Sequence, residues 1–146
     1  MLKRYTFWFS AAVIFQFLTA AIHALSLFIP LQPTDDTERR MVELVTTYKM
    51  DMGAGFHPTF FNLFTALSSS FTFLCLFAAL TNGYLLWKHT EANVMKGIIG
   101  INLAVFGIFF VVAAYFTFLP PIICVGLIFI NLLAAFVVAP KTESDS

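Results

Sequence analysis

The chain has 146 residues, 60% of them hydrophobic and 11% charged, with a formal net charge of zero. A soluble domain carries roughly 45–50% apolar and about 25% charged residues, and a chain this short has too little interior to hide the excess. The composition therefore excludes a soluble globular domain. The absence of a basic cluster excludes nucleic acid as a partner and a polybasic patch for anionic lipid.

Apolar runs of about 18 residues or more mark membrane spans. Four occur, at about 5–31, 57–87, 94–119 and 122–139. They leave room for one transmembrane four-helix domain, residues 1–140, and a polar tail at 141–146. The predicted fold is an all-α integral membrane protein. It is a four-transmembrane-helix bundle with one amphipathic surface helix between spans one and two.

The first run follows Lys3 and Arg4. Its basic start fits a signal peptide, and small residues at Thr19, Ala20 and Ala21 offer a cleavage site, but the run exceeds the usual 7–15-residue signal core. It is read as a span that exits at Pro30 and Pro33. Gln16 and His23 lie seven apart on one of its faces.

In the connection, Asp35 and Glu38 have capping spacing, and Met41, Leu44, Val45, Tyr48 and Met52 recur at helical spacing. This predicts an amphipathic helix at about 35–50, on the membrane surface or folded over the bundle mouth. Asp36–Arg40 and Arg39–Glu43 are spaced for helical salt bridges. Gly53 and Gly55 end the pattern.

The second span opens at His57-Pro58, with proline expected in the first helical turn. As a helix it puts Asn62, Thr65, Ser69 and Thr72 on one side and Phe60, Leu63, Phe64, Leu67 and Phe71 on the other. In a bilayer the bulky side suits lipid and the small or hydroxylated side suits neighbouring helices. The 19 phenylalanines read as lipid-facing bulk in the same way. The third span carries Gly100 and Gly107, seven apart and suited to close helix contact, with Asn102 and Tyr115. Pro120-Pro121 is read as a tight turn into the fourth span, which holds Cys124, Gly126 and Asn131. With no C-x-x-C, Cys75 and Cys124 point away from thiol–disulfide exchange.

Lys3, Arg4, Lys88, Lys96 and Lys141 fall on one side of such a bundle, and Arg39, Arg40 and Lys49 on the other. The asymmetry predicts both termini in the cytoplasm. Counting along the spans, His23, Asn62 and Thr65 lie about 10 Å below the outer surface. Tyr115 and His57 lie nearer to it. These five residues are the candidate outer-leaflet binding pocket. Gln16 and Asn131 form a second, mid-depth pair expected to hydrogen-bond across the bundle. Polar groups at such depths need partners because lipid offers none, so structural hydrogen bonding accounts for much of the pattern.

Function is legible only by class. The predicted role is a small accessory or interaction subunit, or a binder of a lipophilic ligand in the outer pocket. The partners are the lipid bilayer and other copies or a larger membrane complex. No cofactor is predicted. The alternative is a membrane enzyme, or a metal or haem protein, built on His23 and His57. Glu43 or Asp51 would supply a further metal ligand. Haem would need its two histidines at one depth, and His57 is roughly 6–9 Å shallower by helical rise. No buried carboxylate and no nucleophile motif supports catalysis or proton-coupled transport. The segment Ala21–Ser26, the proline exit, the charged loop helix and three further spans resemble small bacterial four-helix membrane proteins in size and layout. The resemblance implies a bacterial inner membrane and assigns no functional residue.

Overall fold

A computed structural model of the chain describes residues 2–140; the tail expected at 141–146 lies outside them. The described residues form five helices: α1 (Leu2–Ser26), α2 (Asp36–Thr47), α3 (Phe60–Trp87), α4 (Ala92–Phe116) and α5 (Leu119–Val138). All but α2 are long and apolar enough to cross a membrane. The protein is therefore an all-α, multi-pass membrane protein with an amphipathic helix between its first two spans. By chain contacts it divides into two compact units. One comprises the residues up to Thr19 together with those from Cys75 onward; the other is Ala20–Leu74.

In the first unit, burial follows a 3.5-residue period. Tyr5, Phe9, Ala12, Gln16 and Thr19 are buried on α1, and Cys75, Ala79 and Asn82 on α3. On α5 Val125, Ile128, Leu132 and Ala135 continue the period, with Gly126 and Asn131 buried beside them. Steps of alternately three and four residues are the seam of left-handed helix packing. Tyr5 and Phe9 apart, the seam on these helices is built largely from alanine, aliphatics and amides, and many of the large aromatics face outward. Phe77 is 69% exposed and Trp87 71%.

Helices α4 and α5 pack by reciprocal glycine–phenylalanine insertion. A Cβ on Gly107 would stand 3.1 Å from the Phe129 ring, and one on Gly126 would stand 3.1 Å from the Phe110 ring. Those two rings stack on each other, with centroids 5.8 Å apart. Gly100 takes Phe136 in the same way, at 3.2 Å. The close contact that the Gly100 and Gly107 spacing suits is thus made within the chain, between α4 and α5. Pro120 and Pro121 also differ from expectation. They sit in the first turn of α5, where a missing N–H costs nothing, rather than in the turn before it.

In the second unit, α1 ends in i→i−3 turns at Leu27, Phe28 and Ile29, just ahead of Pro30, which disfavours helical backbone before it. Asp35 caps α2 by accepting from the Glu38 N–H at 2.8 Å. Glu38 in turn accepts from the Thr34 N–H and hydroxyl, both at 2.7 Å. These bonds, the backbone one foremost, hold the Glu38 carboxyl below its ordinary value. The expected 35–50 helix is shortened to 36–47 because Tyr48 turns extended. The ion pair formed is Arg39–Asp36 at 3.8 Å, in place of the two expected i,i+4 pairs.

No residue of α2 is buried, and its apolar side chains Met41, Leu44 and Tyr48 are exposed. That favours the membrane-surface position over the folded-over one. After α2 the chain makes a small hairpin. The Met50 N–H donates to the Pro58 carbonyl at 2.9 Å, and Lys49 bridges to Thr59. The tip has positive φ at Gly53, Ala54 and Gly55. Pro58 therefore lies in extended backbone before α3, not in its first turn.

Candidate functional site

In the Ala20–Leu74 unit, His23 from α1 meets the hydroxylated face of α3. Its Nδ1 lies 2.9 Å from Thr72 Oγ1, and its Nε2 lies 3.4 Å from Ser68 Oγ. The Phe71 ring stands edge-on at 4.8 Å. Serine and threonine at i and i+4 put two hydroxyls on one stripe, and a hydroxyl can donate to or accept from either nitrogen. Both ring nitrogens are thus engaged within the chain. This is a clasp between two helices.

The other members of the expected outer pocket have different employment. Asn62 accepts from the Thr59 N–H at 3.0 Å and the Thr59 hydroxyl at 2.7 Å, while its own N–H donates to Thr59 Oγ1 at 3.2 Å. That is a reciprocal N-terminal cap on α3, with asparagine in the place usually held by Glu or Gln. Ser69 bonds back to the Thr65 carbonyl at 2.7 Å. His57 sits in the hairpin 4.0 Å from Asp51, with both side chains largely exposed. Among the described residues no group of three or more His, Cys, Asp or Glu is gathered as a metal site. Tyr115, in the other unit, is 82% exposed and edge-on to Phe116.

In that other unit the buried polar chemistry is an amide triad. Asn82 Nδ2 donates to Gln16 Oε1 at 3.1 Å and to Asn102 Oδ1 at 2.8 Å. Gln16 Nε2 donates to Asn102 Oδ1 at 3.3 Å. Asn102 Nδ2 donates to Asn82 Oδ1 at 3.3 Å and to the Ile98 carbonyl at 2.9 Å. The triad joins α1, α3 and α4. The Gln16–Asn131 pair read from depth is replaced by it, and Asn131 donates to the Leu127 carbonyl of its own helix at 2.8 Å. Depth counting missed Asn82. The available signal was the demand any amide in an apolar run makes for a partner, which the carboxamides of Gln16 and Asn102 can meet. Among the described residues no buried side-chain N or O lacks a partner.

The chain matches no family model, no curated protein and no solved structure.

The same unit holds an open cleft of about 350 Å³ where α1 begins and α3 turns into α4, with Tyr5, His89, Thr90 and Glu91 on its polar side. The turn is a Schellman motif. The Thr90 N–H reaches the Leu85 carbonyl, and the His89 N–H reaches the Leu86 carbonyl. His89 therefore takes φ +49° at a position where glycine is usual. Lys88 lies over the Trp87 ring at 4.8 Å, outside the cleft lining. None of these residues was legible as a site in the sequence, because a four-residue polar loop between two spans reads as a plain connection.

Proposed function

We propose that this protein is a small accessory subunit of the membrane, acting by association with other membrane-embedded chains or with further copies of itself. The observation that carries the reading is the uneven use of its longest span. Only 11% of the apolar window of α3 is buried within the chain, against 33% for α5. Meanwhile the internal polar groups of its spans are spent on each other. The His23 clasp, the Asn62 cap and the amide triad are closed arrangements that leave no nucleophile, general base or ligand set open to a substrate. What α3 still offers is an outward stripe of Phe73, Phe77, Leu80 and Tyr84, which neighbouring helices and lipid both cover by van der Waals contact.

The reading includes an orientation with both termini in the cytoplasm, supported by the lysine and arginine asymmetry, and a bacterial inner membrane, supported by the layout. It calls on no haem or metal. Native mass spectrometry of the protein released gently from its own membrane tests the role. The expected result is the mass of an oligomer or of a larger complex, and a bare monomer overturns the proposal. A single cysteine placed in α2 tests the orientation: it should be labelled from the outer side, and labelling only from the cytoplasm reverses it.

A further inference from the structure

We infer that the cleft between the start of α1 and the α3–α4 turn binds a primary ammonium group. The group is carried either by a membrane amphiphile or by a small soluble amine. The argument begins with Tyr5. It is 4% exposed and lines the cleft, and no hydrogen bond reaches its hydroxyl among the described residues. The ring is buried while the hydroxyl opens on the cleft, where a ligand can reach it.

Glu91 is an exposed carboxylate on the same cleft. It stands at the N-cap of α4, yet its carboxylate makes no capping bond. His89 is the third group. Its imidazole has no hydrogen bond among the described residues, and it is held at the cleft by a left-handed backbone that glycine would adopt without strain. Strain kept at a concave site is a mark of use.

The chemistry of the three groups selects the ligand. Carboxylate, phenol oxygen and imidazole nitrogen are three acceptors around one small space, and an ammonium head carries three donors. An anionic head would meet the Glu91 carboxylate. A metal ion would find only His89 and Glu91 as strong donors. The apolar floor of Leu85, Leu86 and Met95 fits a carbon chain leading away from the head. The cleft also lies where the apolar windows of α1, α3 and α4 end, beside Tyr84, Trp87 and Lys88, which is headgroup level in a bilayer. The inference is independent of the accessory role, and mass spectrometry separates them, since one adds protein mass and the other lipid or amine mass.

The test uses the full chain in nanodiscs of equal parts phosphatidylethanolamine, phosphatidylcholine and phosphatidylglycerol, with retained lipid weighed by native mass spectrometry. The ethanolamine lipid should be retained about tenfold over the choline lipid, whose head has no N–H, which is the size of one charge-assisted hydrogen bond. Glu91→Gln should abolish the preference. Tyr5→Phe and His89→Gly should reduce it about threefold without lowering the melting temperature. A second arm adds free ethanolamine to lipid-stripped protein in detergent. A rise in melting temperature that Glu91→Gln removes, with no lipid preference, assigns the site to soluble amines and still supports the inference. Equal lipid retention with no ethanolamine effect overturns it. So does a preference that survives Glu91→Gln, or a preference for the glycerol lipid.

Discussion

Two histidines show opposite uses of one side chain. His23 lies in regular helix, with Thr72 on one ring nitrogen, Ser68 on the other and Phe71 against its edge. His89 lies in a turn at φ +49°, with an imidazole that no described residue engages. The first is paired and unstrained, as a polar group holding spans together must be, because lipid supplies no substitute partner. The second is strained and exposed, and it stands in a cleft beside the Tyr5 hydroxyl and the Glu91 carboxylate, which make no hydrogen bond among the described residues. A histidine inside a span draws attention as a functional candidate. Here the satisfied histidine in the span is structural, and the loop histidine carries the chemical opening.

The comparison breaks if satisfied groups prove dispensable. The largest effect should come from the amide triad, where Asn82 bonds both Gln16 and Asn102. Asn82→Leu should cost about 2 kcal/mol, since bonds of this kind contribute about 0.6 kcal/mol each and the abandoned amides add a penalty. Unfolding by SDS titration, followed by tryptophan fluorescence, reads this directly. His23→Ala comes next, with a loss of about 1 kcal/mol in the same assay. Its specificity is checked by a double-mutant cycle with Thr72→Val, where a coupling near 0.6 kcal/mol is expected. Zero coupling would mean that the clasp is geometric only.

The sequence made the number and order of helices readable because four long apolar runs and one amphipathic segment have few other solutions. The inward faces were harder. In a soluble helix the buried face is the apolar one, and its period stands out. Here both faces are apolar, and the buried seam mixes Phe9 and Ile128 with Ala12, Ala79, Ala135 and the amides, so a hydropathy pattern barely separates it from the lipid-facing side. Counting depth assigned levels to Gln16 and His23 but could not choose their partners, because partner choice depends on rotation about each helix axis. Gln16 turned to Asn82 and Asn102 rather than Asn131. Asn62 shared a level with His23 yet was taken by Thr59, since a cap three residues away is reached before any group across a membrane. The cleft was hidden for another reason: its groups come from the first turn of α1 and from a short loop about 80 residues later, and the left-handed conformation of His89 has no sequence mark.

His89→Gly sharpens the comparison by reversing the sign. Relief of the left-handed strain should raise stability by about 1 kcal/mol, where His23→Ala lowers it. A fall instead would mean that the imidazole packs as structure and that the two histidines are alike.

The smallest effect concerns Glu38. It lies in neither histidine's surroundings and measures how far exposed capping resembles the buried clasp. Its carboxyl is held below the ordinary value by the Thr34 N–H and hydroxyl. A depressed carboxyl stabilises the folded form at pH values above the unfolded pKa. That contribution fades as pH falls through the ordinary glutamate range and is gone below the folded value. The first turn of α2 should therefore loosen on acidification, seen as faster amide hydrogen exchange at Arg39 and Arg40 after correction for intrinsic rates. Glu38→Gln should remove the part of that pH dependence that belongs to this carboxyl. An unchanged profile in the variant would remove Glu38 as its cause.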